Sequence, residues 1–133
     1  MSTPDQTRQV LNDYAEAWRS LDLERILGAY HDDIELHYFG NSPLAGTHAG
    51  KEAAFTALAQ ASTLSTRKLV DIEDILIGTS MGALVVREEL GDPARLVRRI
   101  LLYRVLDGKL RECWLYDEDQ AFVDLLWSAQ SAS

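Results

Sequence analysis

The sequence predicts an α+β fold in which helices pack on one face of a curved, mostly antiparallel sheet. Apolar residues recur at helical spacing near the amino terminus, and long runs of strand-like composition fill the second half. A third observation is the pair Asp107-Gly108, a strong turn signal between the last two of these runs. Helices early and an antiparallel meander late are typical of α+β domains, and the expected order is α-α-β-α-β-β-β-β-α.

Length and composition restrict the possibilities further. A chain of 133 residues holds one core but not two, so we expect a single domain over residues 1–133, with 128–133 as a polar tail. The net charge of −8 argues against nucleic acid or an anionic membrane as partner. One cysteine forms no internal disulfide, and no signal peptide or membrane span is evident. We therefore expect a cytoplasmic protein.

The first third is predicted to be mainly helical. Pro4 and Asp5, after Ser2 or Thr3, are typical of a helix start. The apolar stripe of this helix consists of Val10, Leu11, Tyr14, Trp18 and Leu21. A second, short helix begins at Leu21.

The remaining elements follow from alternation and turn signals. We expect a strand over 34–39, an irregular loop over 40–50 and a third helix over Lys51–Ala61. Four strands then occupy 69–78, 81–90, 95–106 and 109–117, and a short helix covers 121–127.

The register of the last hairpin is decided by charge. A two-residue loop sets Arg104 opposite Arg111, a like-charge pair that costs stability. A three-residue loop that ends in a left-handed Gly108 instead pairs Val105 with Lys109, and this is the register we expect.

That register predicts one face of the hairpin. The face carries Val97, Arg99, Leu101, Tyr103, Cys113, Leu115 and Asp117. Asp117 therefore lies over a mostly apolar surface, with Arg99 as its nearest counter-ion.

Several short motifs resemble those of a known superfamily. They are Asp22-Leu23, Tyr30-His31-Asp32-Asp33, Ala45-Gly46-Thr47 with Gly50-Lys51, and Asp107-Gly108-Lys109 with Trp114 and Asp117. With the element order, they make nearly the whole chain similar to the NTF2-like superfamily, within it to the ketosteroid-isomerase and SnoaL-like polyketide-cyclase branch. The resemblance implies a cone around an apolar pocket, with helices on the concave face of the sheet, and a homodimer through the open sheet face. The fold hosts many activities, so resemblance alone does not select one.

The ketosteroid-isomerase pattern is only partly present. The resemblance assigns the oxyanion tyrosine to Tyr14, which is kept, but the catalytic base falls on Tyr38 and the second oxyanion donor on Leu101. Because the base is missing, we do not expect the usual isomerase mechanism.

The SnoaL-like cyclases match better at the end of the last strand. Their acid/base aspartate follows a tryptophan, as Asp117 follows Trp114. The resemblance implies that this carboxylate removes a proton next to a carbonyl, which requires a pKa raised by burial, while Tyr14, Tyr38 or Tyr103 donates to the oxyanion.

The candidate site follows from these comparisons. The expected catalytic residues are Asp117, Tyr14 and Tyr38, and the expected ligand-binding residues are Trp18, Phe55, Arg99, Leu101, Tyr103, Cys113 and Leu115. A structural role for Asp117 stays open, because it can pair with Arg99 or cap the last helix, for which Asp119 is the better candidate. Histidines and acids show no metal-ligand spacing, so no metal or other cofactor is expected, and adjacent acids such as Glu88-Glu89 are expected to face water.

Three functional hypotheses remain. The first is a cofactor-free cyclase, isomerase or lyase that abstracts a proton next to a carbonyl of an apolar substrate. The second is a non-catalytic ligand-binding or accessory module, and the third is a structural dimer that uses the sheet face carrying Leu102, Trp114 and Tyr116. An epoxide-hydrolase-like reaction is a minor alternative, because Arg99 and Asp117 supply two members of the Asp-Arg-Asp set which that branch needs.

Overall fold

The computed structural model describes residues 2–64 and 66–131. Its elements are α1 (Pro4–Arg19), α2 (Leu23–Gly28), β1 (Tyr30–Tyr38), β2 (Gly46–Ala49), α3 (Lys51–Leu64), β3 (Arg67–Ile77), β4 (Met81–Leu90), β5 (Arg95–Leu106), β6 (Lys109–Asp117) and α4 (Gln120–Ser131). The predicted order is confirmed, and a short strand, β2, is added within the stretch expected to be an irregular loop.

The six strands form one sheet in the order β2-β1-β6-β5-β4-β3. All neighbouring strands are antiparallel except β1 and β6, which are parallel and pair Leu36 with Cys113. Helix α1 contacts β3 and β4, α3 contacts β1, and α4 contacts β6. The prediction of a mostly antiparallel sheet with packed helices is confirmed. No helix in the described ranges is long and apolar enough to cross a membrane.

Helix α1 begins as expected and ends earlier than its apolar pattern indicates. Thr3 caps it, accepting a hydrogen bond from the Gln6 backbone N–H at 3.2 Å, while the Gln6 side chain accepts from the Thr3 N–H at 2.9 Å. The predicted apolar stripe is wrong at Leu21, which has a φ of 53° and is 76% exposed. Asp22 then caps α2, accepting from the Arg25 N–H at 3.2 Å.

Three other elements are longer than predicted. Strand β1 begins at Tyr30, so 31–33 belong to it, and α3 continues to Leu64. Helix α4 continues to Ser131, so 128–131 are helical where we expected a polar tail. Residues 132–133 lie outside the described residues.

The turn of the last hairpin differs from the expected register. Asp107 and Gly108 both have positive φ, 54° and 72°, and they form a two-residue turn. Val105 pairs with Leu110 and not with Lys109, so the predicted three-residue loop is wrong.

A shift in register after this turn prevents the like-charge pair on which that prediction rested. The pairing shifts at Arg111, so that Arg104 lies opposite Glu112. Arg104 Nη2 and Glu112 Oε1 form an ion pair of 2.7 Å. Beyond this shift the predicted inner face is correct, with Tyr103 opposite Cys113.

Candidate functional site

A small cavity lies between α1, α3 and the inner face of the sheet. Seven of its lining residues were predicted from the sequence: Tyr14, Trp18, Arg99, Leu101, Tyr103, Cys113 and Leu115. Nine others were not assigned to a site: Tyr30, Leu36, Leu58, Arg67, Leu69, Ile72, Leu84, Val86 and Glu88. Most are apolar residues of the inner sheet face, which strand alternation alone does not assign to a pocket.

The space inside the cavity is small. Its empty space is about 550 Å³ when the part open to solvent is included, but the centres of water-sized molecules have only about 40 Å³. A single water needs roughly 10–15 Å³ of such space, whereas drug-sized ligands occupy sites of about 300–1,000 Å³. A ligand larger than a few waters therefore requires side chains at the mouth to move.

Three predicted site residues do not line this cavity. Tyr38 is buried against the rings of His48 and Trp127, each with its centroid 5.8 Å away. Phe55 packs edge-on against Tyr30 at 5.7 Å. Asp117 contacts Arg99, and it is the arginine that lines the cavity.

The wall of the cavity carries a buried guanidinium between two carboxylates. Arg99 Nε and Nη2 donate to Asp117 Oδ1 and Oδ2 at 2.7 and 3.3 Å, and Nη1 donates to Glu88 Oε2 at 3.1 Å. Arg99 is 2% exposed and Glu88 3%. This bidentate pairing is the alternative for Asp117 that the sequence left open. The other role considered for Asp117, capping α4, belongs to Asp119, which accepts from the Phe122 N–H at 3.1 Å.

A fourth charged group extends the set to the mouth of the cavity. Arg67 Nε lies 3.3 Å from Glu88 Oε2, and Arg67 Cζ lies over the Trp18 ring, 5.4 Å from the ring centroid. The four groups alternate in sign in the order Arg67, Glu88, Arg99, Asp117. Alternation lowers the cost of burying each charge, because every carboxylate has a cation beside it.

Glu88 corrects a prediction. We expected it to face water with Glu89, but it points inward from β4 with Leu84 and Val86. A signal was present in the sequence: residues 84, 86, 88 and 90 alternate on one face, and the other three are apolar. What the sequence lacked was the partner, since Arg99 reaches Glu88 only through the pairing of β4 with β5.

Burial controls the protonation of Asp117. Desolvation raises its pKa, and the attraction of Arg99 lowers it by less. The negative charge of Glu88 also raises the Asp117 pKa, by less than desolvation does. The same two carboxylates raise the pKa of Arg99, which stays charged.

Three tyrosines supply buried hydroxyl groups to the interior, beside the charged groups of the cavity wall. The hydroxyls of Tyr14 and Tyr30 are hydrogen-bonded, and the Tyr103 ring packs edge-on against Tyr14 at 5.5 Å. Burial raises the pKa of all three phenols, which therefore keep their protons at neutral pH. Because two hydroxyls use only one O–H between them, the Tyr14–Tyr30 pair retains one donor for a ligand. Cys113 beside them is an unreactive thiol, because burial raises its pKa to about 12.

A second cluster of titratable groups lies away from the cavity. His37 Nε2 is 2.8 Å from Glu112 Oε2 and 3.8 Å from Glu35 Oε2, and His37 Nδ1 is 2.8 Å from Thr47 Oγ1. Glu35, His37 and Glu112 each have one atom that could ligate a metal ion, and these three atoms lie within 4.8 Å of one another. Sequence spacing did not reveal this group, because Glu112 comes from the neighbouring strand. As predicted, His37 is outside the cavity.

Comparison with known proteins establishes the fold. No family model and no curated protein matches the chain. A solved protein of unknown function with a cystatin-like fold from Xanthomonas campestris is 22% identical, with a TM-score of 0.83 and coverage of 96% of this chain and 99% of that one. An NTF2-like protein from Burkholderia xenovorans is also 22% identical, with a TM-score of 0.69 over 96% and 98%.

A third solved structure with a similar fold is described by a putative activity. A putative polyketide cyclase from Sinorhizobium meliloti is 13% identical, with a TM-score of 0.66 over 81% of this chain and 94% of that one. At these identities the likeness shows the fold, which is NTF2-like, as the sequence motifs indicated.

Proposed function

We propose that this chain, with its NTF2-like fold, binds an apolar small molecule and transfers a proton next to a carbonyl group without a cofactor. One observation carries the proposal: a buried carboxylate, Glu88, lines the same cavity as three protonated phenols and is held by Arg99. A base and an oxyanion donor in a dry pocket are the two requirements of such chemistry. The resulting reaction class is that of cyclases, isomerases and lyases.

Each group has a distinct role in this proposal. Glu88 takes the proton from the carbon, the electron pair of that bond moves onto the carbonyl oxygen, and the phenol of Tyr14 or Tyr103 donates to the oxygen. Both guanidinium contacts reach Oε2 of Glu88, and no described side chain donates a hydrogen bond to Oε1. Oε1 is therefore the oxygen left to act as the base. Asp117 is a positioning residue, because it orients Arg99 and does not line the cavity.

The test is hydrogen–deuterium exchange at a ketone. We expect the wild-type protein to accelerate exchange of the α-protons of 2-tetralone in D₂O, followed by proton NMR, and Glu88→Gln to lower this rate by about 10²-fold or more. Glu89→Gln is the matched control, because the neighbouring carboxylate is on the opposite face of β4. Equal rates for the two variants would exclude Glu88 as the base.

A second candidate function is the opening of an epoxide by water. Glu88 supplies the third member of the carboxylate–guanidinium–carboxylate set, which the sequence did not locate. Glu88, the carboxylate of the set that lines the cavity, removes a proton from water as the water oxygen bonds to an epoxide carbon. A phenol of the cavity protonates the epoxide oxygen as its C–O bond breaks, and the proton held by Glu88 then restores the phenol. Formation of phenylethanediol from styrene oxide, measured by chromatography, distinguishes this reaction from ketone exchange. Binding without either reaction would favour the non-catalytic module.

We also propose a homodimer through the outer face of the sheet. Tyr116 stacks on Phe39 at 5.0 Å, and these two side chains are 43% and 39% exposed, with Ile100 nearby on β5 at 41%. Exposed apolar side chains gathered on one sheet face support an interface. Sedimentation equilibrium of the wild type and of Tyr116→Glu tests it: a dimer that dissociates in the variant is expected, and a wild-type monomer would contradict it.

A further inference from the structure

A groove on the surface adjoins the cavity. It lies between the end of α1, the end of α3 and the start of β3, and it has a volume of about 900 Å³. Four residues line both the groove and the cavity: Trp18, Arg67, Leu69 and Ile72. The groove is therefore the approach to the cavity, and the Arg67–Trp18 pair stands at the connection.

The side chains that line the groove include more positive than negative charges, although the protein as a whole is negatively charged. Arg19, Arg67 and Lys68 line it with one acid, Asp71, whereas the chain as a whole carries −8. A local excess of positive charge concentrates anions against the net repulsion of the protein. The charge pattern thus selects for a ligand with a negative group.

Arg67 is the cation best placed to bind that group. Its side chain is 22% exposed, and its carboxylate contact among the described residues is Nε to Glu88 at 3.3 Å. In the described part of the chain it donates no hydrogen bond that meets ordinary distance and angle limits, so its terminal amino groups are available. The guanidinium lies over the Trp18 ring, with Cζ 5.4 Å from the ring centroid, and its planar fork matches a carboxylate in two parallel hydrogen bonds.

Five of the residues that line the groove are apolar: Trp18, Leu21, Leu69, Val70 and Ile72. Leu21 has a φ of 53° and is 76% exposed, and Val70 is 48% exposed. A leucine in the left-handed region is strained, and exposing it forgoes the gain of burial. A ligand that covers Leu21 and Trp18 recovers that burial.

We propose that the groove binds an amphipathic carboxylate, whose carboxylate pairs with Arg67 while its apolar body covers Trp18 and Leu21 on the way into the cavity. This inference rests on the proposed function, since it names the substrate class of the same pocket. Arg67 is then a specificity-determining residue, and the ligand carboxylate replaces water at the free amino groups of the guanidinium.

The experiment compares two probes of nearly equal shape, of which only one carries a negative charge. We expect isothermal titration calorimetry at pH 7.5 to show 2-naphthoate binding at least tenfold more tightly than 2-naphthamide. Arg67→Gln should bring the ratio of the two affinities close to one. Arg8→Gln, which changes an exposed arginine on α1, is the control and should leave the ratio unchanged.

A second variant tests the contact between Leu21 and the apolar body of the ligand. Leu21→Asn suits the left-handed backbone and should lower the affinity for both probes by a similar factor. A wild-type ratio near one, a ratio retained in Arg67→Gln, or no binding of 2-naphthoate would each overturn the proposal. If 2-tetralone exchange still depends on Glu88 in those cases, the proposed function stands and the carboxylate selectivity alone fails.

Discussion

Arg99 and Asp117 lie directly opposite each other on β5 and β6, joined by two nitrogen–oxygen contacts of 2.7 and 3.3 Å. Because Arg99 also holds Glu88, it is the single cation that two buried carboxylates share. The stability of the inner face of the sheet and the chemistry proposed for the cavity therefore depend on the same side chain.

Arg99→Met should be strongly destabilising. The substitution keeps an unbranched side chain but leaves two buried carboxylates without their shared cation, which costs about 3–5 kcal/mol of unfolding free energy. Urea denaturation at pH 7 measures the loss. Arg98→Met on the same strand is the control, and its effect should be smaller because the Arg98 side chain is 41% exposed and pairs with the part-exposed Glu73. Similar losses in the two variants would contradict the importance of the buried set.

Glu88→Gln should lower the pKa of Asp117. Burial and the charge of Glu88 both raise this pKa, and Arg99 is divided between the two carboxylates. Removing the charge of Glu88 removes one repulsion and commits Arg99 to Asp117. Carbon-13 NMR titration of the Asp117 carboxyl group follows the change, with Glu89→Gln as the control. An unchanged midpoint in Glu88→Gln would show that the carboxylates do not interact.

Stability should fall at alkaline pH. Burial raises the pKa of Cys113 from 9.0 to about 12 and that of Tyr38 from 10.0 to about 12. At a pH between the ordinary pKa and the folded-state pKa of a group, the unfolded chain has lost a proton that the folded chain keeps. The free energy of unfolding therefore decreases as pH rises, by about 1.4 kcal/mol per pH unit for each group. Below pH 9 neither group contributes a slope. Urea denaturation between pH 8 and 11 measures the decrease.

Cys113→Val distinguishes the contribution of the thiol to this pH dependence from that of the phenols. The variant has no group that titrates from 9.0, so its stability should decline less steeply between pH 9 and 10 than that of the wild type. Equal slopes in that interval would show that the folded protein does not hold the Cys113 proton.

Gly108→Ala should destabilise the hairpin by about 1 kcal/mol. Gly108 has a φ of 72°, and nothing lies within 4 Å of the position that a Cβ would take, so the cost is conformational. Gly28→Ala is the matched control, since Gly28 ends α2 with equal free space and without a positive φ. The control should be neutral or stabilising. Thermal unfolding of both variants checks the difference, and equal effects would refute the conformational explanation.

Local patterns explain which features were predictable. The inner face of the hairpin, including Arg99 and Asp117, follows from alternation along a strand, and the Asp107-Gly108 turn follows from its two residue types. The predicted pairing was wrong along the hairpin, because Val105 opposite Lys109 would place Tyr103 opposite Arg111, whereas Tyr103 lies opposite Cys113. The inner face was nevertheless correct, since an offset of two residues keeps the same side chains on the same face. The pairing shift at Arg111 avoids the like-charge contact. A shift of one residue leaves almost no trace in composition, and for that reason the sequence did not reveal it.

The sequence by itself determined the NTF2-like fold, the order of its elements, and a cavity face that carries Tyr14, Trp18, Arg99 and Tyr103. These depend on periodicity, turns and motifs within single segments. The tertiary structure alone decided that Glu88 contacts both Arg67 and Arg99, that Tyr38 packs away from the cavity, and that the space inside the cavity is small. The physical reason is that each of these features depends on the pairing of separate strands and on side-chain packing between distant segments, which no local pattern encodes.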